Sequence, residues 1–586
     1  MTELKAAWKQ RVYAALRKFA QSGNLAIDTL SEDMIVAEFP PKPELGDIGF
    51  PMFSYAKIFR MSPANLASQV AAALEPAKGD DGADLGAAKA VGPYLNVYFN
   101  REALSKYIFQ NGTSFARSPL AGRKVMIEFS CPNTNKPLHL GHLRNNVLGE
   151  SLSRIIKTAG AEVRKVNLIN DRGIHICKSM LAYQVYGGGR TPEDEGLKSD
   201  HFVGKYYVLF NTLKSEDPSA EEKAQELLRK WEAEDPDVMN LWKKMNTWAV
   251  DGIKATYARQ GISFDQYYFE SQTYMKGKEE ILAGLERNIF YREEDGSIWA
   301  NLEDIGLDRK VLLRKDGTSL YITQDIGTAI YRHVDWPFDQ LIYVVASEQQ
   351  YHFRVLFEIL KRLGYAWAKD LYHLSYGLVN LPSGRMKTRE GTVVDADDLI
   401  DELASLAQKE IAERERESAI DDAAKVAEKI ALGALHYYLL QTSPVKDMLY
   451  NPEQSLSFTG NTGPYIQYMG ARACSILRKY HKGEGNAGKG TVTPAKLSSD
   501  ADWMLVRRLL ALQEAVELAA RSKEPSVVAA YAHDLASDFS SWYRDNPVLA
   551  SEDPDLSATR VELVKAVKSA LQNVCWMLCI PFLEEM

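Results

Sequence analysis

The stretch Val125–Ile156, VMIEFSCPNTNKPLHLGHLRNNVLGESLSRII, constrains the fold more than any other part of the chain. Val125–Phe129 is an apolar run of strand length, and a turn rich in Pro and Asn follows it. Leu143, Val147, Leu148, Leu152, Ile155 and Ile156 then recur at helical spacing, so the segment reads as half of a βαβ unit. Between strand and helix stands His139-Leu140-Gly141-His142. Two imidazoles fall where a helix N-terminus offers free N–H groups to an anion, and Gly141, lacking a side chain, lets a nucleotide lie close to the backbone.

Taken alone, the histidine pair is equally readable as a capping or core pair. Histidines three apart can also share a metal, but no further Cys or carboxylate stands at ligand spacing, so no protein-bound metal is expected.

Residues 1–115 read as a separate α+β unit. A helix with Trp8, Val12, Leu16 and Phe19 on one face leads to a strand over Asp33–Phe39, a Pro-rich turn, a second helix and the strand-like VGPYLNVYFN. Residues 116–400 carry parallel-strand patterns at Val163–Ile169, Tyr321–Thr323 and Leu341–Ala346, each followed by helical periodicity, which predicts a doubly wound parallel sheet. Such a sheet binds ligands at the carboxyl ends of its strands, where HLGH falls. The polar stretch 186–240 reads as an inserted helical excursion without assigned chemistry. Residues 401–586 form long amphipathic helices, among them one with Val506, Leu509, Leu510, Gln513 and Val516 and a last one with Val561, Val564, Val567, Leu571, Val574 and Leu578; these describe an all-α bundle.

Three further segments have two readings each. In LYITQDIGTAIYRH the carboxylate of Asp325 either serves a ligand or is a favourable charge at a helix start, worth ~0.3–1 kcal/mol. In LIYVVASEQQYHF, Gln349 and His352 follow a buried strand and are either ligand groups or caps. The basic turn GRMKTREGT is either functional or a solvated loop.

The whole run SCPNTNKPLHLGHLRNN resembles the HIGH signature of class I aminoacyl-tRNA synthetases, in the form found in arginyl-tRNA synthetases. The other segments follow in that family's order, so the resemblance implies a Rossmann-like, HIGH-type catalytic domain. It implies ATP-dependent ligation of L-arginine to tRNA(Arg) through an arginyl-adenylate, with release of pyrophosphate and AMP. The implied arginine pocket comprises Asn133, His142, Tyr321, Asp325 and Gln349, with Glu128 and Cys131 flanking Asn133. A guanidinium is planar and always charged, so a selective pocket needs a carboxylate aimed at its fork, and Asp325 fits that role. The implied ATP site comprises Lys136, His139, Gly141, His142, Met386 and Lys387, and the implied catalytic groups are Lys136, His139, His142, Lys387 and Arg389. Mg²⁺ is expected as the counterion of ATP.

The N-terminal unit is similar to the family's extension that contacts the tRNA elbow; a stability domain without RNA contact is the alternative. TGNTGPYIQYMGARA resembles its anticodon-binding domain, where Tyr468 and Arg472 share a helix face and can stack on and pair with unstacked bases. Core packing is the rival account of Tyr468.

The chain departs from the class pattern at one point. Class I enzymes usually carry K-M-S-K-S, whereas this chain has Arg385-Met386-Lys387-Thr388-Arg389, with Thr388 where the second lysine would stand. Lys136, three residues before His139, is the expected substitute, alongside Lys387 and Arg389.

A composition of 46% hydrophobic and 25% charged residues is that of an ordinary globular protein. No apolar run approaches the ~18 residues of a membrane span, and MTELKAAWKQR lacks a secretory core, so a cytoplasmic protein without membrane contact is expected. Five cysteines without a C-x-x-C pair argue against a disulfide framework or zinc ribbon, and Cys575 and Cys579 read as packing residues. The net charge of −8 gives no sign of nucleic-acid binding, yet 70 Lys and Arg suffice for a local basic face. A monomer is expected. Two rivals remain, a small-molecule adenylyltransferase using H-x-G-H and a catalytically inactive RNA-binding relative. The first needs neither terminal unit, and the second would not be expected to keep all the residues above.

Overall fold

A computed structural model describes residues 2–22, 30–38, 40, 42–74, 77–78, 84–112, 118–274, 276–380, 394–413 and 422–586. At its centre are five strands: β1 (Lys124–Glu128), β2 (Glu162–Ile169), β3 (Gln266–Phe269), β4 (Gln340–Ala346) and β5 (Leu371–Tyr376). Every neighbouring pair is parallel, and the order across the sheet is β3-β2-β1-β4-β5. The order therefore reverses between β1 and β4, which opens a crevice at their carboxyl ends.

Strand alternation explains why both faces are covered. Val125, Ile127 and Phe129 of the β1 segment join Ile342 and Val344 of β4 in one core, under helix α1 (Leu140–Thr158) and the C-terminal helices. Met126, Leu341 and Tyr343 point into a second core, under helix α2 (Tyr321–Asp335) and the helix Gln350–Arg362. Parallel strands buried on both faces read as near-continuous apolar runs, as these do.

Between β2 and β3 the chain makes helices Ile174–Tyr186, Ser199–Glu216, Ala220–Glu232 and Pro236–Gln260 around a core of their own, so the polar stretch 186–240 is helical as read. The N-terminal unit has a four-stranded antiparallel sheet and helices, and among the described residues from Ala396 onwards the chain is mostly helical, with a short strand at Met448–Leu449. Val561, Val564, Val567, Leu571, Val574 and Leu578 are all buried, as are Cys575 and Cys579.

Three local readings fail. Glu32–Met34 is a 3₁₀ turn, and Glu38 makes only an isolated bridge to Gly49, so no strand spans Asp33–Phe39. Tyr321–Thr323 opens α2 instead of forming a strand. There the Thr323 hydroxyl accepts the Leu320 N–H at 3.3 Å and donates to the Leu312 carbonyl, so capping overrides the β preference of Tyr-Ile-Thr. The strand nearest to it, Lys310–Leu313, belongs to a separate three-stranded antiparallel sheet. Finally, the helix through Val506 and Val516 is broken near Ala511 into Asp500–Leu510 and Leu512–Ser522.

Among the described residues no helix is long and apolar enough to cross a membrane.

Candidate active site

The HLGH turn sits at the crevice between β1 and β4. His139 caps α1: the Gly141 N–H donates to His139 Nδ1 at 3.1 Å, and the His139 N–H donates to His142 Nδ1 at 3.2 Å. The two rings lie with centroids 3.9 Å apart. Burial, with Lys136 nearby, holds His139 down to about 4, and burial with His139 and Lys136 holds His142 well below an ordinary imidazole. Both rings are therefore neutral near pH 7. Because each Nδ1 accepts a backbone N–H, each ring proton sits on Nε2, and both rings keep an Nε2–H donor for a ligand. A Cβ at Gly141 would stand 3.0 Å from His139 Cε1, so the glycine leaves room for the imidazole that caps the helix.

A cavity of about 470 Å³ opens here, lined among others by Ser130, Cys131, His139, Gly141, His142 and Glu348. Its entrance at the end of β1 is strained. Ser130 (φ +74°) and Cys131 (φ +48°) are consecutive left-handed residues, a conformation that costs a non-glycine residue about 1–3 kcal/mol. Three side chains hold the turn in place. Asn145 Oδ1 accepts the Ser130 N–H at 2.5 Å, Asn167 Oδ1 accepts the Cys131 N–H at 3.1 Å, and the Tyr257 hydroxyl lies 2.6 Å from Ser130 Oγ. Asn145 also donates to the Val344 carbonyl at 2.8 Å, tying α1 to β4 across the crevice. Sequence reading missed these residues. A polar Asn145 within the apolar stripe of α1 was the available signal; Tyr257, over a hundred positions away, offered none.

Asn133 is exposed and continues the β1–β2 pairing through a bridge to Asn170. Lys136 is partly buried, which lowers its pKa, and it forms no ion pair with any described residue. Glu128 is buried against Arg332 of α2 as an ion pair. Burial raises its pKa more than Arg332 lowers it, and the pair ties α2 to the sheet beneath Asp325. Burial and the Glu128 charge push the Cys131 thiol well up, so it stays protonated.

On α2, Tyr321 and Asp325 stand one turn apart, with Tyr321 75% exposed. His352 Nε2 lies 2.6 Å from Asp325 Oδ2. A second carboxyl, Glu270 at the end of β3, is pushed up to about 7 by burial, opposed by Arg172 and reinforced by the charges of Asp171 and Asp325. Burial also raises the Tyr321 hydroxyl, with Glu270 and Asp325 adding to it and Arg172 opposing. Tyr321, Asp325, Glu270 and Arg172 thus share one electrostatic neighbourhood at the sheet's carboxyl edge. The cap reading of His352 gives way to a contact with Asp325. Gln349 is exposed in the turn after β4. Met386, Lys387 and Arg389 lie outside the described residues.

In the bundle, the Arg472 guanidinium donates to the Tyr468 hydroxyl at 3.2 Å and lies over the Tyr543 ring at 4.6 Å. Both side chains are half-buried on helix Gly463–His481.

Comparison with known families covers nearly the whole chain. Residues 6–99 match the model described as Arginyl tRNA synthetase N terminal domain, residues 105–451 tRNA synthetases class I (R), catalytic domain, and residues 466–586 DALR anticodon binding domain. An arginine–tRNA ligase of Treponema denticola is 55% identical over 595 residues, and one of Treponema pallidum 52% over 594 residues, with 100% of both chains covered in each case. The solved Thermus thermophilus arginyl-tRNA synthetase superposes with a TM-score of 0.79 at 26% identity, covering 99% of each chain. On this match of sequence, domain order and fold, the chain belongs to the class I arginyl-tRNA synthetases.

Proposed function

We propose that the chain ligates L-arginine to tRNA(Arg) at the crevice between β1 and β4. The arginine carboxylate attacks the α-phosphorus of ATP, the bond to the bridging oxygen breaks and pyrophosphate leaves. A ribose hydroxyl at the tRNA end then attacks the carbonyl carbon of the adenylate and AMP leaves. The first nucleophile is already ionised, so that step needs no protein base. The protein's part is positioning and charge stabilisation.

His139 and His142 donate Nε2–H bonds to ATP, and Lys136 supplies a cation three residues away. Gly141 leaves the backbone open beside the nucleotide. Asn133 and Gln349 hold the amino-acid end of arginine, while Asp325 and Tyr321 face its guanidinium. Glu128 and Cys131 form the adjoining wall, where Glu128 acts through its pair with Arg332. Met386, Lys387 and Arg389 of the basic stretch are the further groups assigned to ATP. Mg²⁺ accompanies ATP as a counterion. Glu348 is the single carboxylate among the described residues lining the cavity, a donor set suited to a metal carried in by phosphate and unsuited to a protein cage.

Tyr468 and Arg472 engage tRNA from the bundle. We take residues 1–115, 116–400 and 401–586 as the functional units, working as a cytoplasmic monomer. The observation that carries the reading is the pair of neutral imidazoles, 3.9 Å apart, with both Nδ1 atoms bound to backbone N–H groups at the crevice. A charging assay over all twenty amino acids with bulk tRNA tests it: arginine alone should be esterified, and charging of another amino acid would refute it.

A further inference from the structure

Helix Ser199–Glu216 of the insertion, with Lys198 before it, lies against the catalytic turn at one place and against the segment paired with that turn at another. At the first, a Cβ on Gly204 would stand 2.7 Å from Pro137 Cδ and 3.6 Å from Lys136 Cα, so the helix can approach this closely only with glycine there. At the second, His201 Nε2 lies 3.3 Å from Asp395 Oδ2, and Lys198 Nζ donates to Asp397 Oδ2 at 2.8 Å. Lys198 also donates to buried Asp200 at 3.0 Å and to the Thr256 hydroxyl at 2.5 Å. Arg259 adds a bond to the Asp397 carbonyl at 3.3 Å.

Asp395 and Asp397 begin the segment that follows GRMKTREGT, and its backbone is bonded directly to the HLGH turn. The Leu140 N–H donates to the Val394 carbonyl at 3.1 Å, the Ala396 N–H donates to the Leu138 carbonyl at 3.0 Å, and Asp395 pairs with His139. Asp395 Oδ1 also accepts the N–H groups of Asp397 at 2.8 Å and Asp398 at 3.2 Å, which starts helix Ala396–Glu413. His139 therefore belongs to a short ladder, gripped on one side through Pro137 and on the other through Asp395 and Asp397. Ligand atoms of Asp200, His201 and Asp397 lie within 4.8 Å of one another, as in a metal site, but the Lys198 ammonium bonds both carboxylates and supplies the cation itself.

We propose that Lys198, His201 and Gly204 are positioning residues for adenylate formation: the inserted helix holds the 138–140 and 394–396 ladder in register and so places His139 and His142 on the nucleotide. The inference rests on the catalytic reading of the HLGH turn. Without Lys198, the buried Asp200 and the largely buried Asp397 lose their shared counter-charge and must move apart. The ladder, bonded to Leu138 and Leu140 on either side of His139, moves with them. A shift of about 1 Å in a reacting group costs on the order of a hundredfold in rate.

Pyrophosphate exchange by the full chain, with tRNA present, tests this. Gly204→Ala and Lys198→Met should each lower kcat by ~10–100-fold while arginine and ATP KM stay within about twofold. His201→Leu should behave likewise, and His201→Gln, which keeps a polar side chain beside Asp395, should recover most of the loss. Lys178→Met breaks a 2.9 Å pair with Glu221, between helix Ile174–Tyr186 and the insertion, and should cost stability without lowering kcat. Unchanged kcat in folded Gly204→Ala and Lys198→Met would overturn the proposal, as would a rise in KM at constant kcat or an equal kcat loss in Lys178→Met. Should Lys198→Met fail to fold, Gly204→Ala and the two His201 variants decide. If His142→Ala also left kcat intact, the catalytic reading of the turn, and not only the brace, would fall.

Discussion

His352 Nε2 lies 2.6 Å from Asp325 Oδ2, which joins the second turn of α2 to the helix that follows β4. One carboxylate oxygen is thereby fixed while the side chain remains about one-third exposed at the crevice. A fixed carboxylate meets a planar guanidinium with less ordering cost than a free one. Asp325→Asn should therefore raise arginine KM ten- to a hundredfold, the ~1.5–3 kcal/mol of one charge-assisted contact, with ATP KM nearly unchanged. His352→Ala, which keeps the charge and loses its orientation, should raise arginine KM less. Steady-state kinetics check both, and an unaltered arginine KM in Asp325→Asn would remove the residue from the pocket.

Tyr468 and Arg472 are already joined at 3.2 Å, with Arg472 over Tyr543, so the pair is pre-formed on its helix face. Replacing both by Ala should raise the KM for tRNA roughly tenfold, on the scale of ~1–3 kcal/mol for a stacked base, and spare arginine and ATP. Equal charging of native and anticodon-altered tRNA by the unmodified chain would count against this role.

Stability should fall on the acid side through a window set by buried imidazoles, His139 and His436 among them. His139 and the fully buried His436 are both held down to about 4 by burial. Between pH ~6.5 and ~4 the unfolded chain takes up protons that the folded one refuses. Their contribution is thus fully present above pH ~6.5 and is lost as the pH falls towards 4. His436 Nδ1, 2.7 Å from the Cys579 carbonyl, carries the ring proton, so neutrality also satisfies that acceptor. Thermal melts from pH 8 to 4 should show Tm dropping below pH ~6.5, and His436→Asn, which cannot titrate, should flatten the slope. An identical slope would exclude His436 as a source.

The unit of β1, turn and α1 was legible because its determinants are local: an alternating strand, a capping residue and an apolar stripe within a few tens of positions. Tyr321 and Asp325 were brought into one pocket by the family resemblance, although the strand assigned to Tyr321–Thr323 was wrong, since the Leu312 carbonyl that captures the Thr323 hydroxyl comes from another hairpin. What stayed hidden depends on distant pairing. Arg332 under Glu128, Tyr257 on Ser130 and Lys198 on Asp397 each join segments that only the fold brings together. The stretch 186–240 read as a helical excursion without chemistry for that reason: its partners Asp395 and Asp397 lie far along the chain.

His142 illustrates a double role of the turn. It accepts the His139 N–H as part of the cap, so His142→Ala should cost ~1 kcal/mol of stability as well as slow adenylate formation. A melting-temperature loss with no change in rate would make the residue purely structural.

Single-turnover adenylate formation by Lys136→Ala tests the account most directly. With both imidazoles neutral and Thr388 in place of the usual second lysine, the charge developing on the phosphates needs a cation close to HLGH, and Lys136 is partly buried there without an ion pair among the described residues. The rate should fall by ~10²–10³, the loss typical of one preorganised electrostatic stabiliser, with arginine and ATP affinities nearly unchanged. An intact rate in Lys136→Ala, together with its loss in Lys387→Ala or Arg389→Ala, would contradict the account and place the charge on the basic stretch instead.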